Sequence, residues 1–307
     1  MLTGIHFLLT YMCVYECDHC FVYSSPESKG TFTMDQIREV LEEARKLGTV
    51  EWIFFEGGEP FLFYPVMLEG IRMARGMGFK TGVVTNSYWV TSEEDAELWL
   101  KPLKDLGLGN LSVSDDEFHF GDEESPARLT IAAARKLGIP MSQLSIDKPL
   151  VKESSTEKGE PIVDGGAQLK GRAVDKLTEG LPKRDFRKFT ECNAEELRNP
   201  KRVHVDPFGN LHLCQGILVG RAVSPTTPDE LTAHPTLAEI CQSYEPAAHP
   251  IVGPLLKGGP AELARCYGIR PGPAYADACH LCYETRQALR PRYPGLLAPD
   301  QVYGEIN

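Results

Sequence analysis

From residue 3 to about residue 150 the chain alternates strand-like apolar runs with amphipathic helical stretches, and this alternation constrains the fold most. The strand signals are Thr3–Thr10, Val50–Phe55, Lys80–Thr85, Asn110–Ser114 and Gln143–Ile146. Between them lie helix signals. Thr33-Met34-Asp35-Gln36 opens one with a capping-box pattern that runs to Leu47, and Gly48 ends it. A second spans Pro65–Met77. A third follows Thr91-Ser92, with Glu93, Glu94 and Asp95 in its first turn, where the helix dipole favours acids. A fourth spans Pro126–Leu137. Such alternation predicts an α/β fold with a parallel sheet and helices outside it. In such sheets ligands gather at the carboxyl ends of the strands.

The unusual residues fall at those ends. After strand one comes Cys13-Val14-Tyr15-Glu16-Cys17-Asp18-His19-Cys20, three thiols in the spacing C-x3-C-x2-C. Thiolates suit soft metals and iron–sulfur clusters. Three without a fourth nearby do not close a tetrahedral zinc site, although His19 as fourth ligand would make a zinc knuckle. After strand two comes Glu56-Gly57-Gly58-Glu59-Pro60. Glycines at a strand end let backbone approach a partner closely, and a carboxylate accepts from an ammonium group. Thr85-Asn86-Ser87 follows strand three, and Ser114-Asp115-Asp116 follows strand four.

Taken together, the cysteine run and the Gly-Gly-Glu-Pro segment resemble the radical S-adenosylmethionine (SAM) enzymes. The resemblance implies a partial (β/α)6 TIM-like barrel. It implies a 4Fe-4S cluster on Cys13, Cys17 and Cys20, with SAM on the open iron. Gly57, Gly58, Glu59 and Pro60 would hold the methionyl amino group, His19 would lie against adenine, and Asn86, Ser114 and Asp115 would take the ribose or carboxylate. Arg172, in a Gly-Arg-Ala segment, would clamp a carboxylate of SAM or substrate. Asp115, Asp116 and His119 form a polar cluster from which a catalytic base can be drawn. Asn86 and Ser114 also suit helix-cap or turn roles, Arg172 a surface salt bridge, and the acidic cluster a solvated loop.

The second half changes character. Residues 160–166 read as loop or a last strand. A boundary near 185 divides the chain into a core, 1–185, and a C-terminal domain, 186–307. Arg202–Asp206 and Asn210–Cys214 read as a β-hairpin turned through Pro207-Phe208-Gly209-Asn210. Cys192, Cys214 and Cys279-His280-Leu281-Cys282 resemble the ligands of SPASM/twitch domains. That resemblance implies a second, auxiliary 4Fe-4S cluster on Cys192, Cys214, Cys279 and Cys282 in a twitch-type hairpin/helix domain. Four cysteines from a hairpin and a C-x2-C also describe a structural zinc ribbon. Cys241 and Cys266 are left over. Pro246–Pro260 reads as irregular backbone, Tyr283–Leu289 as a short helix, and Pro291–Asn307 as an extended strap.

Composition narrows the function. A net charge of −11 weighs against nucleic acid. No apolar run is long enough to span a membrane. Nine cysteines without a secretion signal argue for metal ligands in a reducing cytoplasmic compartment. The resemblance then implies a radical SAM enzyme fed by a one-electron donor such as flavodoxin or ferredoxin. One expectation is hydrogen abstraction from a small-molecule substrate, with the auxiliary cluster accepting an electron. With strand one starting at residue 3, no leader-binding domain is expected ahead of it, which favours that course over a peptide or protein maturase. A metal-binding scaffold without SAM cleavage is the third.

Overall fold

The computed structural model describes residues 1–121, 125–155, 160–222, 235–270, 272 and 274–305. Its first half runs β1 (Gly4–Thr10), α1 (Met34–Leu47), β2 (Trp52–Gly57), α2 (Tyr64–Gly76), β3 (Lys80–Thr85), α3 (Glu93–Asp105), β4 (Asn110–Ser114), the single turn α4 (Glu117–Phe120), α5 (Ala127–Leu137) and β5 (Met141–Leu144). The caps follow the sequence signals. Thr33 and Gln36 form the capping box of α1, and Gly48 ends it at φ 72°. Ser92 caps α3 through the Asp95 N–H. Each such cap contributes about 1 kcal/mol.

The middle of the chain forms β6 (Leu150–Glu153) and β7 (Pro161–Asp164), an antiparallel hairpin, then α6 (Arg172–Leu177) and the two-residue β8 (Arg184–Asp185). The last part holds β9 (Arg202–Val205), β10 (Asn210–Cys214), β11 (Ile217–Arg221), α7 (Leu237–Ser243), α8 (Val252–Cys266), β12 (Ala274–Tyr275) and α9 (Ala278–Leu289).

One eight-stranded sheet organises both halves, in the order β11-β10-β9-β1-β2-β3-β4-β5. The run β9-β1-β2-β3-β4-β5 is parallel, and β10 and β11 extend it antiparallel beyond β9. The sixth parallel strand is therefore β9, beside β1, and not the 160–166 segment. Leu150–Glu153, Pro161 and Asp164 are exposed, and the β6–β7 hairpin stands outside the main core. Val203 and Val205 alternate into the core. The hairpin of residues 202–214 is present as read. Its turn is built on buried Asp206, which accepts from the N–H groups of Phe208 and Asn210 and from the Tyr11 hydroxyl.

The two faces of the sheet differ, as the period of a strand requires. Ile5, Phe7, Leu9, Ile53, Phe55, Val83, Leu111 and Val113 are buried in the main core. Leu8, Glu56, Val84, Ser114 and Leu144, on the opposite face, line a cavity. His6, Phe54 and Trp52 stack beneath it, with His6 and Phe54 centroids 4.7 Å apart. Gly82 makes room there: a Cβ would lie 2.2 Å from the Phe54 ring.

Four further readings need correction. Residues 246–260 are not irregular throughout. Helix α8 begins at Val252, breaks at Gly258 and Gly259, and restarts at Pro260, which is tolerated in a first helical turn. The break serves packing: a Cβ on Gly259 would lie 2.4 Å from the Glu191 nitrogen, next to Cys192. Helix α9 starts at Ala278, capped by Asp277, so Cys279 and Cys282 belong to its first turns. Strand five ends at Leu144, because the Ile146 N–H donates to the Asp116 side chain instead of a neighbouring strand. Residues 291–305 fold as tight turns ending in the short helical turn Asp300–Tyr303, not as extended chain. Gln301 donates to the Val22 and Tyr23 carbonyls, so residues 300–303 fasten the cysteine loop. No helix among the described residues is long and apolar enough to cross a membrane.

Candidate functional site

Cys13, Cys17 and Cys20 line one cavity of about 220 Å³ at the carboxyl ends of the parallel strands. Their loop is held from four directions. The Tyr15 and Ser24 N–H groups donate to the sulfurs of Cys13 and Cys20, at 3.4 and 3.3 Å. The Asn86 side chain donates to Cys13 at 3.5 Å. Gly58 and Glu59 donate their N–H groups to the carbonyls of Thr10 and Met12. A Cβ on Gly58 would lie 2.0 Å from the Met12 oxygen, and one on Gly57 2.3 Å from that of Thr10. The Gly-Gly pair therefore brings the end of β2 against the cysteine loop itself, besides lining the cavity.

Arg172 is the fourth support. Its guanidinium donates to the Cys17 carbonyl at 3.0 Å and the Ser24 carbonyl at 2.7 Å, and its N–H to that of Cys20. It is buried and does not line the cavity. The expected carboxylate clamp is thus engaged with the loop's backbone. Glu59 also lies outside the cavity lining. It is fully buried, and its oxygens accept from the Asn86 and Phe61 N–H groups and the Thr85 hydroxyl. Burial lifts it to about 7 against those donors. Pro60 begins the short turn Pro60–Phe63 behind it. Asp115 points to Gln143, whose amide donates to it at 2.9 Å, and it too is absent from the lining.

The other residues singled out do meet. His19, Gly57, Gly58, Asn86, Ser114, Asp116 and His119 line the cavity with the three thiols. Asp116 and His119 pair at 2.7 Å, and this bond with the nearby imidazoles holds Asp116 below its ordinary value despite a desolvation penalty. They are a fixed pair and not a solvated loop. The His19 ring packs on Phe118 at 4.6 Å, and burial and His119 lower it to about 4. Asn86 is already engaged at both ends, by Cys13 and by the Tyr88 N–H.

The donor set suits an iron–sulfur cluster. Burial raises Cys13 to about 12 and pushes Cys17 up as well, with mutual repulsion among the three sulfurs adding to it. One buried and two half-buried sulfurs in one cavity would be held as thiolates by a bound cationic cluster, and N–H···S bonds of the kind seen here set a cluster's potential.

A second cavity, of about 30 Å³, is lined by Cys192, Cys214, Cys279 and Cys282 together with Lys170 and Arg286. Cys279 and Cys282 stand three apart at the N-terminal end of α9, where the helix dipole favours thiolate. Lys170 is buried, with its Nζ 3.7 Å from the Cys214 sulfur and 3.8 Å from Glu195. Cys241 and Cys266 are exposed and do not line this cavity.

Sequence reasoning missed three residues. His6, Glu56 and His204 come together on β1, β2 and β9, with Glu56 3.1 Å from His6 Nδ1 and 2.9 Å from His204 Nε2. Only the strand order brings them together.

The fold and site define an α/β domain with a three-cysteine loop after its first strand. Residues 7–145 match the model of the Radical SAM superfamily. It is 31% identical over 107 residues to the putative peptide biosynthesis protein YydG of Bacillus subtilis, covering 35% of this chain and 34% of that one. It is 29% identical over 109 residues to the tungsten-containing aldehyde ferredoxin oxidoreductase cofactor-modifying protein of Pyrococcus furiosus, covering 35% and 29%. The chain thus spans about a third of the length of these curated relatives. A solved structure, BtrN in complex with AdoMet and 2-DOIA, superposes with a TM-score of 0.48 at 15% identity, over 72% of this chain and 78% of that one.

Proposed function

We propose that the protein is a radical SAM enzyme with two iron–sulfur sites. The carrying observation is the convergence of Cys13, Cys17, Cys20, His19, Gly57 and Gly58 on one cavity in a chain with a superfamily match over residues 7–145. When bound, the groups supply one-electron cleavage of SAM to methionine and a 5′-deoxyadenosyl radical, hydrogen abstraction from substrate, and a second 4Fe-4S centre to accept an electron.

The chain's own residues do the rest. Cys13, Cys17 and Cys20 hold the first cluster, and Gly57 and Gly58 offer backbone to the amino end of SAM. His19, fixed by Phe118, presents an uncharged ring to adenine. Ser114 and Asn86 face the ribose side. The Asp116–His119 pair, beside the thiols in the cavity, is the base on this reading. Cys192, Cys214, Cys279 and Cys282 hold the second cluster, and Lys170 and Arg286 offset its thiolate charge. On this reading residues 1–185 supply five strands of the partial barrel and 186–307 carry the auxiliary cluster, with β9 of the second part completing the parallel run beside β1. A low-potential donor such as flavodoxin or ferredoxin supplies the electron. The relatives' names include peptide biosynthesis and cofactor modification, which supports a peptide as substrate alongside the small-molecule reading.

The test is product analysis. Anaerobically reconstituted protein with SAM and dithionite should release 5′-deoxyadenosine and methionine, and the Cys17→Ala variant should release neither. Wild-type protein carrying about four irons on the first site, yet releasing no 5′-deoxyadenosine, overturns the proposal and leaves a metal-binding scaffold.

A further inference from the structure

Beside the cavity of the cysteine loop lies a larger chamber of about 330 Å³. The two share His19, Phe21, Glu56 and Ile146 in their linings. At their common wall Glu56 stands between two imidazoles. His6 and His204 are register partners on the parallel strands β1 and β9. Glu56 lies on the neighbouring strand β2, opposite Leu8, so all three side chains rise from one face of the sheet. Their ligating atoms all lie within 4.8 Å of one another.

The chemistry of this group is specific. Two imidazole nitrogens and one carboxylate form the ligand set of catalytic zinc sites and of non-haem ferrous sites, both of which leave positions open. Around an ion with bonds of roughly 2.1 Å, neighbouring donors stand about 3.0–3.4 Å apart. The separations, 3.1 Å from His6 Nδ1 to Glu56 Oε2 and 2.9 Å from His204 Nε2 to Glu56 Oε1, are close to that spacing and set one carboxylate oxygen beside each imidazole. The three side chains are 14, 16 and 9% exposed. The scaffold is stiff: the strands fix the backbone, and the His6 ring stacks on Phe54 at 4.7 Å. The fold itself does not call for the group, since a buried carboxylate with two imidazoles is often no more stabilising than apolar side chains of similar volume.

The chamber leaves room for further ligands. Glu56 and His204 both line it. Its wall also holds Gln215, whose buried carboxamide has no partner among the described residues, and the cations Lys170 and Arg202. A ligand entering there meets hydrogen-bonding and charged groups beside the triad.

We propose that His6, Glu56 and His204 bind a divalent transition ion, zinc or ferrous iron, whose remaining positions take an oxygen donor of a molecule in the adjoining chamber. The ion binds through nitrogen and oxygen only and is distinct from both cysteine sites. The site stands whether or not the cysteine loop cleaves SAM, so the two readings fail separately.

The experiment uses the full chain after anaerobic reconstitution, which fills the cysteine sites. Equilibrium dialysis against zinc, with elemental analysis, should show about one zinc per chain. Zinc-edge X-ray absorption should show a shell of nitrogen and oxygen without sulfur. Glu56→Gln and His204→Gln should each weaken binding at least about tenfold, with cluster iron and sulfide unchanged. A parallel dialysis against ferrous iron, read by Mössbauer spectroscopy as a high-spin ferrous component outside the clusters, separates the two ions. Absence of both metals, or zinc with sulfur neighbours, overturns the proposal. So does equal binding by wild type and both variants. His19, Asp116 and His119 offer the same donor types, so if the variants lose their clusters His119→Gln decides: full zinc there supports the proposal, and lost zinc moves the ion to that group and overturns it.

Discussion

The two cysteine sites are built in opposite ways. The first comes from one loop of eight residues, Cys13–Cys20, with its thiols on a single stretch of backbone. The second is assembled from three separate stretches: the chain at Cys192, the end of β10 at Cys214 and the first turns of α9 at Cys279 and Cys282. A contiguous site needs its loop pinned, and Arg172, Gly57, Gly58 and the 300–303 strap do this. A dispersed site needs its elements docked, and the broken helix α8, the Asp206 turn and Arg286 do that, the last by donating to the Gln215 carbonyl at 2.7 Å. The first site can therefore be damaged through its supports. The second depends on the packing of the whole C-terminal half.

The sharpest separation of the two is by iron. Reconstituted wild type should hold about eight irons per chain, and Cys279→Ala/Cys282→Ala about four. The double variant should still cleave SAM. If it retains all its iron, or if zinc accompanies only four irons in wild type, the second site is structural.

Gly58→Ala should abolish the first site without touching the second. Its Cβ would lie 2.0 Å from the Met12 carbonyl oxygen, which is backbone and cannot turn aside. Iron should fall by about four per chain, measured with the far-ultraviolet spectrum as a control of folding. Full iron in this variant would show that the loop and the Gly-Gly segment are not packed as described.

Arg172→Ala removes two charged hydrogen bonds to loop carbonyls. The expected loss is about 3–4 kcal/mol, read as a lower melting temperature and faster loss of first-site iron in air. Arg172→Lys should not restore it, because an ammonium does not reproduce the two-armed contact. An Arg172 that acted on SAM instead would raise the KM for SAM and leave the melting temperature unchanged.

The smallest effect is in pH. Burial lifts Glu59 from an ordinary value of 4.5 to about 7. The folded protein then binds a proton that the unfolded chain has released, so stability falls as pH rises from about 4.5 to about 7. Glu59→Gln should flatten that slope, a change of at most about 3 kcal/mol across the window. An unchanged slope would assign it to other groups.

Much of the first half was legible in the sequence, because its signals are local. Capping residues, apolar periodicity and terminal glycines marked the helices, and the ligands of the first site lie next to one another. The roles of single side chains were less legible. Arg172 and Glu59 sit in the expected motifs yet hold backbone, since a buried polar group bonds to the nearest unpaired partner. Asp115 and Asp116 are neighbours in sequence, but only Asp116 faces the cavity, with His119.

The sequence by itself determined the parallel α/β sheet, the three-thiol loop at the end of its first strand and the hairpin of residues 202–214. Each follows from residues close together in the chain. Tertiary structure alone decided that β9 lies beside β1, that Cys192, Cys214, Cys279 and Cys282 line one cavity, and that His6, Glu56 and His204 meet. Strand order and helix docking are settled by burying apolar faces between distant segments, such as Val203 and Val205 against the core beneath β1, and no local pattern records which distant segment that will be.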